Sequence, residues 1–243
     1  MLSNINFDNL FSGIIGEEYQ MLNLICPYAT EMSRLVGHEV GEFCQQSPDP
    51  VSVVELGGGT GITTLCILSA ADALSVLSID NEPTMQNQAR KNLQQWADSG
   101  RLKFCGDDAL TALSSLASNS VDILAKAYTL HNFQTDYRKQ VLAEIYRILK
   151  SGGQFINGDR YALDDISAHT RNTQQEVAGY FKVLTGINRL DLLEHWIIHL
   201  LNDEAENHIM REANAIQQMT ETGFKHIQLK FRKDVNALLT ASK

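Results

Sequence analysis

The first two-thirds of the chain repeat one alternation: a short apolar run, a turn, then a segment with apolar residues at helical spacing. Apolar runs at about 51–56, 74–79, 102–105, 121–125 and 154–157 predict five strands. Helices are predicted at about 60–71, from Pro83 to about Ala97, and from about Asp136 to Leu149. In the last, Val141, Leu142, Ile145, Ile148 and Leu149 recur on one helix face, and Ser151-Gly152-Gly153 stops it. Pro83 fits a first helical turn, where its missing N–H has no intrahelical partner anyway. A helical region over 17–46 precedes the first strand and ends at Ser47-Pro48-Asp49-Pro50. Strand–helix units in this order predict a parallel sheet covered on both faces.

The pattern then changes. Residues 160–208 read as mostly helical and amphipathic, with Gly179 and Gly186 as interruptions. A helix over about 209–221 ends at Gly223, and the runs His226 to Phe231 and Val235 to Leu239 predict a closing hairpin. The expectation is an α/β fold of one domain with a seven-stranded, mostly parallel sheet. It divides into an N-terminal helical cap (1–50), a core (51–159), a helical lid (160–208) and a C-terminal helix and hairpin (209–243).

The first strand runs into the densest signal in the chain, Glu55-Leu56-Gly57-Gly58-Gly59-Thr60-Gly61. Glycines there let a ligand lie against bare backbone at a helix start. A Walker A loop is excluded because no Lys follows. The dinucleotide fingerprint G-x-G-x-x-G fits poorly, since Ile62 or Thr64 stands where its last small residue belongs. The pattern E-x-G-x-G-x-G is matched in full by Glu55, Gly57, Gly59 and Gly61. The second strand ends in Asp80, where a carboxylate can accept both hydroxyls of a ribose.

Composition narrows the partners. A net charge of −9 gives no electrostatic footprint for nucleic acid. No apolar run approaches the roughly 20 residues that span a bilayer, so no membrane association is expected. Residues 1–10 carry Asp8 and no Lys or Arg, unlike a signal peptide. Cys26, Cys44, Cys66 and Cys105 form no C-x-x-C pair, and Cys66 and Cys105 read as inert core thiols in a reducing, cytoplasmic setting.

The glycine loop resembles motif I of the Rossmann-like (class I) S-adenosylmethionine-dependent methyltransferases. Further segments continue the resemblance in order. Ile79-Asp80-Asn81-Glu82-Pro83-Thr84-Met85 resembles the motif II of the subgroup that includes the carboxy-S-adenosylmethionine synthases. Gly106-Asp107-Asp108-Ala109 resembles the acidic motif after strand three. Ala127-Tyr128-Thr129-Leu130-His131-Asn132-Phe133 is similar to the segment after strand four, and Leu149-Lys150-Ser151-Gly152-Gly153 to the one before strand five. Gly158-Asp159-Arg160-Tyr161 and Thr222-Gly223-Phe224 follow. The resemblance implies a Rossmann-like methyltransferase fold that binds S-adenosyl-L-methionine and releases S-adenosyl-L-homocysteine. It implies that Glu55 belongs to the cofactor loop and that Gly57, Gly58 and Gly59 run under the methionine and ribose. Asp80 would hold the ribose hydroxyls, with Asn81 beside it. Asp107 would accept from the adenine amino group, Asp108 would offer its backbone N–H, and Met85 would pack on the adenine. Tyr28 matches a tyrosine that reaches the cofactor from the N-terminal helix. Two positions depart from the subgroup. Ala127 replaces an Asn, and His208 falls where an Arg grips the extra carboxylate, with Arg211 one turn away. A conventional methyl donor is therefore expected.

Methyl transfer from a sulfonium asks the protein to position the acceptor and remove its proton. His131 is the candidate general base, since an imidazole titrates near neutral pH; capping the next helix is its plain alternative. Tyr128 is the second candidate, as base or as pocket wall. His195 and His199 have the i,i+4 spacing of zinc sites, with His208 or Asp203 as possible third ligands. A polar lid face is the simpler reading, and no metal is assigned. Asp164-Asp165 reads as a helix cap. The expected activity is methyl transfer to a small-molecule acceptor, with a homodimer as candidate assembly. The alternatives are a tRNA wobble-uridine modification role through a carboxylated cofactor and a catalytically silent cofactor-binding module.

Overall fold

In the computed structural model, which describes residues 26–243, the strands are β1 (Val51–Leu56), β2 (Leu74–Ile79), β3 (Leu102–Cys105), β4 (Val121–Ala127), β5 (Leu149–Arg160), β6 (Lys225–Lys233) and β7 (Asn236–Ser242). They form one sheet in the order β3-β2-β1-β4-β5-β7-β6. The first five strands pair in parallel, and β7 enters antiparallel between β5 and β6. The strand order reverses at β1 and β4, and the gap above their carboxyl ends is where ligands of open α/β sheets bind.

The apolar runs lack a polar face because both sides of the sheet are covered. Alternate residues go to opposite cores, as a period of two requires. Val54, Leu56, Leu124 and Phe155 join one core; Val53, Ile123, Ala125 and Ile156 join the other. Over the second core lie α1 (Pro27–Gln46) and α2 (Ile62–Ala70). In α1, Met32, Val36 and Val40 recur every four residues and are fully buried. Helix α2 is buried on every side from Ile62 to Leu68, which explains its uniformly apolar sequence.

Next come α3 (Pro83–Asn92), α4 (Gln94–Asp98), α5 (Ala109–Ser115) and α6 (Thr135–Ile148). The single helix expected from Pro83 to Ala97 is broken at Leu93, which is wholly buried. Helix α5 was not anticipated; Asp108 caps it by accepting from the N–H groups of Leu110 and Thr111. Strand β5 begins at Leu149, five residues earlier than expected. Gly152, at φ +78°, and a register shift let the Ser-Gly-Gly stretch stay within the strand.

The remaining helices are α7 (Ile166–Gly186), α8 (Leu190–Asp203) and α9 (Glu212–Thr222). Gly179 lies inside α7 without breaking it, whereas Gly186 does end it. Asp165 caps α7 through Ala168 N–H, as expected. Asp164 instead accepts from Ala213 N–H. Helices α7 and α8 pack on each other through Leu184, Leu193 and Trp196. The part of the expected N-terminal helix before residue 26 lies outside the described residues.

Candidate functional site

A cavity of about 740 Å³ lies at the carboxyl ends of β1 and β4. One end is built from backbone. Gly57 N–H donates to Ile79 O at 2.8 Å, which turns the chain out of β1. Gly57 and Gly59 have φ of +69° and +52°, a region closed to most side chains. A Cβ on Gly57 would strike Thr129, whereas one on Gly59 would meet only open space. Gly59 N–H donates to Asp80 Oδ2 at 2.7 Å, and Glu82 N–H to Asp80 Oδ1 at 2.9 Å. The Asp80 carboxylate is thus fixed against the glycine loop. Asp80, Asn81, Met85, Asp107 and Asp108 line this end, with Gly57, Gly58 and Gly59 as floor. Asp108 is held down to about 2 by hydrogen bonds from Thr111 and Tyr137.

Glu55 and Tyr28 stand apart from that wall. Glu55 is wholly buried beneath the loop, where its Oε2 accepts from Thr64 Oγ1 at 2.6 Å. Burial pushes its carboxyl up to about 7 against the hydrogen bonds of Thr64 and Ser78. Tyr28 is half-buried near the start of α1 and does not line the cavity; Cys26, Ala29 and Ser33 do.

The other end is built from side chains. Ala127 closes β4, and Tyr128 follows at φ +50°, an uncommon value for a bulky residue. Tyr128 Oη donates to Asn236 Oδ1 at 2.6 Å, and burial drives its phenol well above the usual range. His131 sits in a single 3₁₀ turn (Leu130–Asn132) and is buried. Its Nδ1 lies 2.6 Å from Asp159 Oδ1. Asp159 is fully buried at the end of β5; its other oxygen pairs with Lys126 Nζ and accepts from Leu130 N–H at 3.0 Å. Burial opposes its charge, but Lys126 and His131 together hold Asp159 far below the ordinary carboxylate range. This network presents His131 Nε2 toward Asp203 Oδ2, 3.9 Å away, and His199 Nε2 lies 3.7 Å from the same oxygen.

Helices α7 and α8 are tied down at the same strand end. Arg160 reaches Glu176 of α7 with both terminal nitrogens, at 2.7 and 2.8 Å, and Glu204 after α8 at 2.9 Å. His195, Trp196 and His199 of α8 thereby face the cavity.

The comparisons with known proteins agree with this geometry. Residues 53–153 match the family model described as a methyltransferase domain. The carboxy-S-adenosyl-L-methionine synthase of Shewanella sp. (strain ANA-3) is 22% identical over 236 residues, covering 95% of this chain and 89% of its own. That of Shewanella baltica (strain OS223) is 22% identical over 237 residues, with the same coverage. Among solved structures, an O-methyltransferase family protein from Burkholderia thailandensis superimposes with a TM-score of 0.65 at 18% identity, covering 98% of this chain and 61% of its own. The CurJ carbon methyltransferase gives a TM-score of 0.66 at 15% identity, over 96% of this chain and 60% of its own. This chain spans about three-fifths of those two structures. Residues 53–153 thus match a methyltransferase domain, and the fold is the one seen in the methyltransferase structures on which the chain superimposes.

Several residues of this site were not assigned from sequence. Asp159 was noted only as part of a motif, and Lys126 not at all. A signal existed: Lys126 directly follows the apolar run Ile123–Ala125, Asp159 lies at the end of the next strand, and the two strands are neighbours in the sheet. Asp203 was named as one of two possible partners for His199; the fold brings it there and leaves His208 outside the cavity. His195 lines the cavity without joining that cluster.

Proposed function

We propose that this protein transfers the methyl group of S-adenosylmethionine to a small-molecule acceptor and releases S-adenosylhomocysteine. The observation that carries the reading is one continuous cavity. It joins the glycine loop and Asp80 at one end to a buried His131–Asp159 dyad at the other. Its volume falls in the upper part of the roughly 300–1,000 Å³ range of small-molecule sites. Asp80 holds the ribose, Asp107 and the Asp108 N–H meet the adenine, Met85 covers its face and Ala127 borders the donor. Glu55 supports the loop from below. The acceptor's proton passes to His131 Nε2, while Asp159 orients the ring and stabilises the imidazolium that forms. Tyr128, its hydroxyl already committed to Asn236, is a wall of the acceptor pocket. Nothing in the cavity wall has the positive charge of a nucleic-acid channel, and no described helix is long and apolar enough to cross a membrane.

The carboxylated cofactor is the second reading, favoured by the names of the curated relatives. Against it, no Lys or Arg among the described residues lines the cavity. Arg211 is turned to Leu163 O, and the Arg160 guanidinium is committed to Glu176 and Glu204. Titration calorimetry tests both readings. Micromolar binding of S-adenosylmethionine and S-adenosylhomocysteine is expected, roughly −8 kcal/mol. Asp80→Ala should weaken both by about 1.5–3 kcal/mol, the loss of a charged hydrogen-bond acceptor. Unchanged affinity in that variant would remove the ribose assignment. A tenfold or greater preference for the carboxylated cofactor, roughly 1.4 kcal/mol, would promote the second reading.

A further inference from the structure

We infer that His131, His199 and Asp203 form a binding site for one divalent transition-metal ion of the zinc type at the acceptor end of the cavity. The sequence spacing pointed to His195 with His199 and led to no metal assignment. The fold selects a different trio, drawn from the turn after β4 and the last turns of α8. One ligand atom from each lies within 4.8 Å of the other two.

Three observations separate this trio from an ordinary ion pair. First, the distances are wrong for direct bonding. Asp203 Oδ2 stands 3.9 Å from His131 Nε2 and 3.7 Å from His199 Nε2, beyond hydrogen-bond length. They are near the separation of atoms that share an ion, since each ligand sits roughly 2.0–2.2 Å from zinc. Side-chain movement of up to about an ångström closes the difference. Second, Asp203 is 7% exposed, and its Oδ1 has no hydrogen-bond partner among the described residues. A buried carboxylate that neither imidazole reaches asks for a cation between them. Third, the outer shell is in place. The Nδ1–H of His131 donates to Asp159, which fixes the tautomer that leaves Nε2 free to bind a metal. Asp159 is in turn anchored by Lys126. Two imidazoles and one carboxylate are a common catalytic zinc set that leaves a coordination position for a small ligand.

This inference rests on the methyltransferase reading only for its consequence. A cation at Nε2 holds the lone pair that otherwise takes the acceptor's proton, so bound metal and free base are alternatives at one atom. The acceptor end is then set by metal supply, and an acceptor with an oxygen or nitrogen ligand suits the open position.

The test uses the full chain, stripped with a chelator and titrated with zinc chloride. One equivalent should bind, and cobalt chloride should give the visible absorption of a four-coordinate ion. His199→Ala and Asp203→Asn should each weaken zinc by about 100-fold or more, and Asp159→Asn by about 10–100-fold through the outer shell. S-adenosylhomocysteine affinity, measured on the same samples, checks that Asp203→Asn is folded. Substoichiometric zinc in wild type, or unchanged affinity in both ligand variants, overturns the site. Loss of S-adenosylhomocysteine binding by the wild type overturns the methyltransferase reading instead and leaves the metal result standing.

Discussion

Each end of the cavity rests on a fully buried carboxylate, and the two are shifted in opposite directions from the ordinary carboxylate value. Glu55 lies under the glycine loop with only hydroxyl groups for company, and burial raises it to about 7. Asp159 lies behind His131, where Lys126 and the imidazole overcome burial and keep it ionised. Desolvation is common to both; the difference is a partner charge. The cofactor end is backbone, and it needs a support that shapes the loop without adding a strong field. The acceptor end is side chain, and there an ionised Asp159 can stabilise a positive imidazole. The same residue chemistry thus gives a carboxyl that holds its proton up to near neutral pH at one end and a fixed charge at the other.

The largest expected effect separates the two ends by function. His131→Ala should lower turnover by about 10²–10⁴-fold, while S-adenosylhomocysteine affinity stays within a factor of two or so, about 0.4 kcal/mol. Calorimetry and a steady-state assay with the identified acceptor check this. If the variant keeps more than a third of wild-type turnover, the acceptor end does not hold the base, and the division of labour fails.

The next effect concerns stability. Asp159→Ala leaves Lys126 buried without its counter-charge and His131 without its orienting group. A loss of about 3–5 kcal/mol in urea unfolding is expected, typical of breaking a buried pair from one side. The double variant Lys126→Met with Asp159→Leu should recover most of that stability, because removing both charges removes the desolvation cost. It should not recover turnover. Recovery of both would mean that Asp159 is structural alone.

The two ends also differ in how much of them could be read before the fold was known. The cofactor end is written in contiguous segments, Glu55 to Gly61 and Ile79 to Met85, because a backbone loop is specified by its own few residues. The parallel sheet covered on both faces followed from the strand–helix alternation. The acceptor end is assembled across the chain: His131 meets Asp159 28 residues on, Lys126 meets it from the neighbouring strand, and His199 and Asp203 arrive from α8. Periodicity places His195 and His199 on one helix face, but the seating of α8 against α7 decides which imidazole meets His131 and Asp203. Helix α5 escaped notice because seven residues give too short a periodic signal, and Gly152 looked like a stop because a bulge uses the same residue type.

The smallest effect tests the neutral member of the pair. A carboxyl raised from 4.5 to about 7 on folding is protonated in the folded chain where the unfolded chain has already lost its proton. Its favourable contribution is complete below the unfolded value and is lost as pH rises through the folded one. Wild type should therefore lose stability between pH 5 and pH 8 relative to Glu55→Gln, whose amide keeps the shape and stays neutral. Integrating the two titrations gives about 2 kcal/mol over that interval. Urea unfolding at four pH values would measure it, and the difference between variant and wild type should grow steadily with pH. A flat difference, within about 0.5 kcal/mol, would show Glu55 ionised in the fold. The cofactor end would then carry a buried charge with no cation beside it, and the contrast with Asp159 would need another cause, such as a cation reaching the unpartnered Glu55 Oε1.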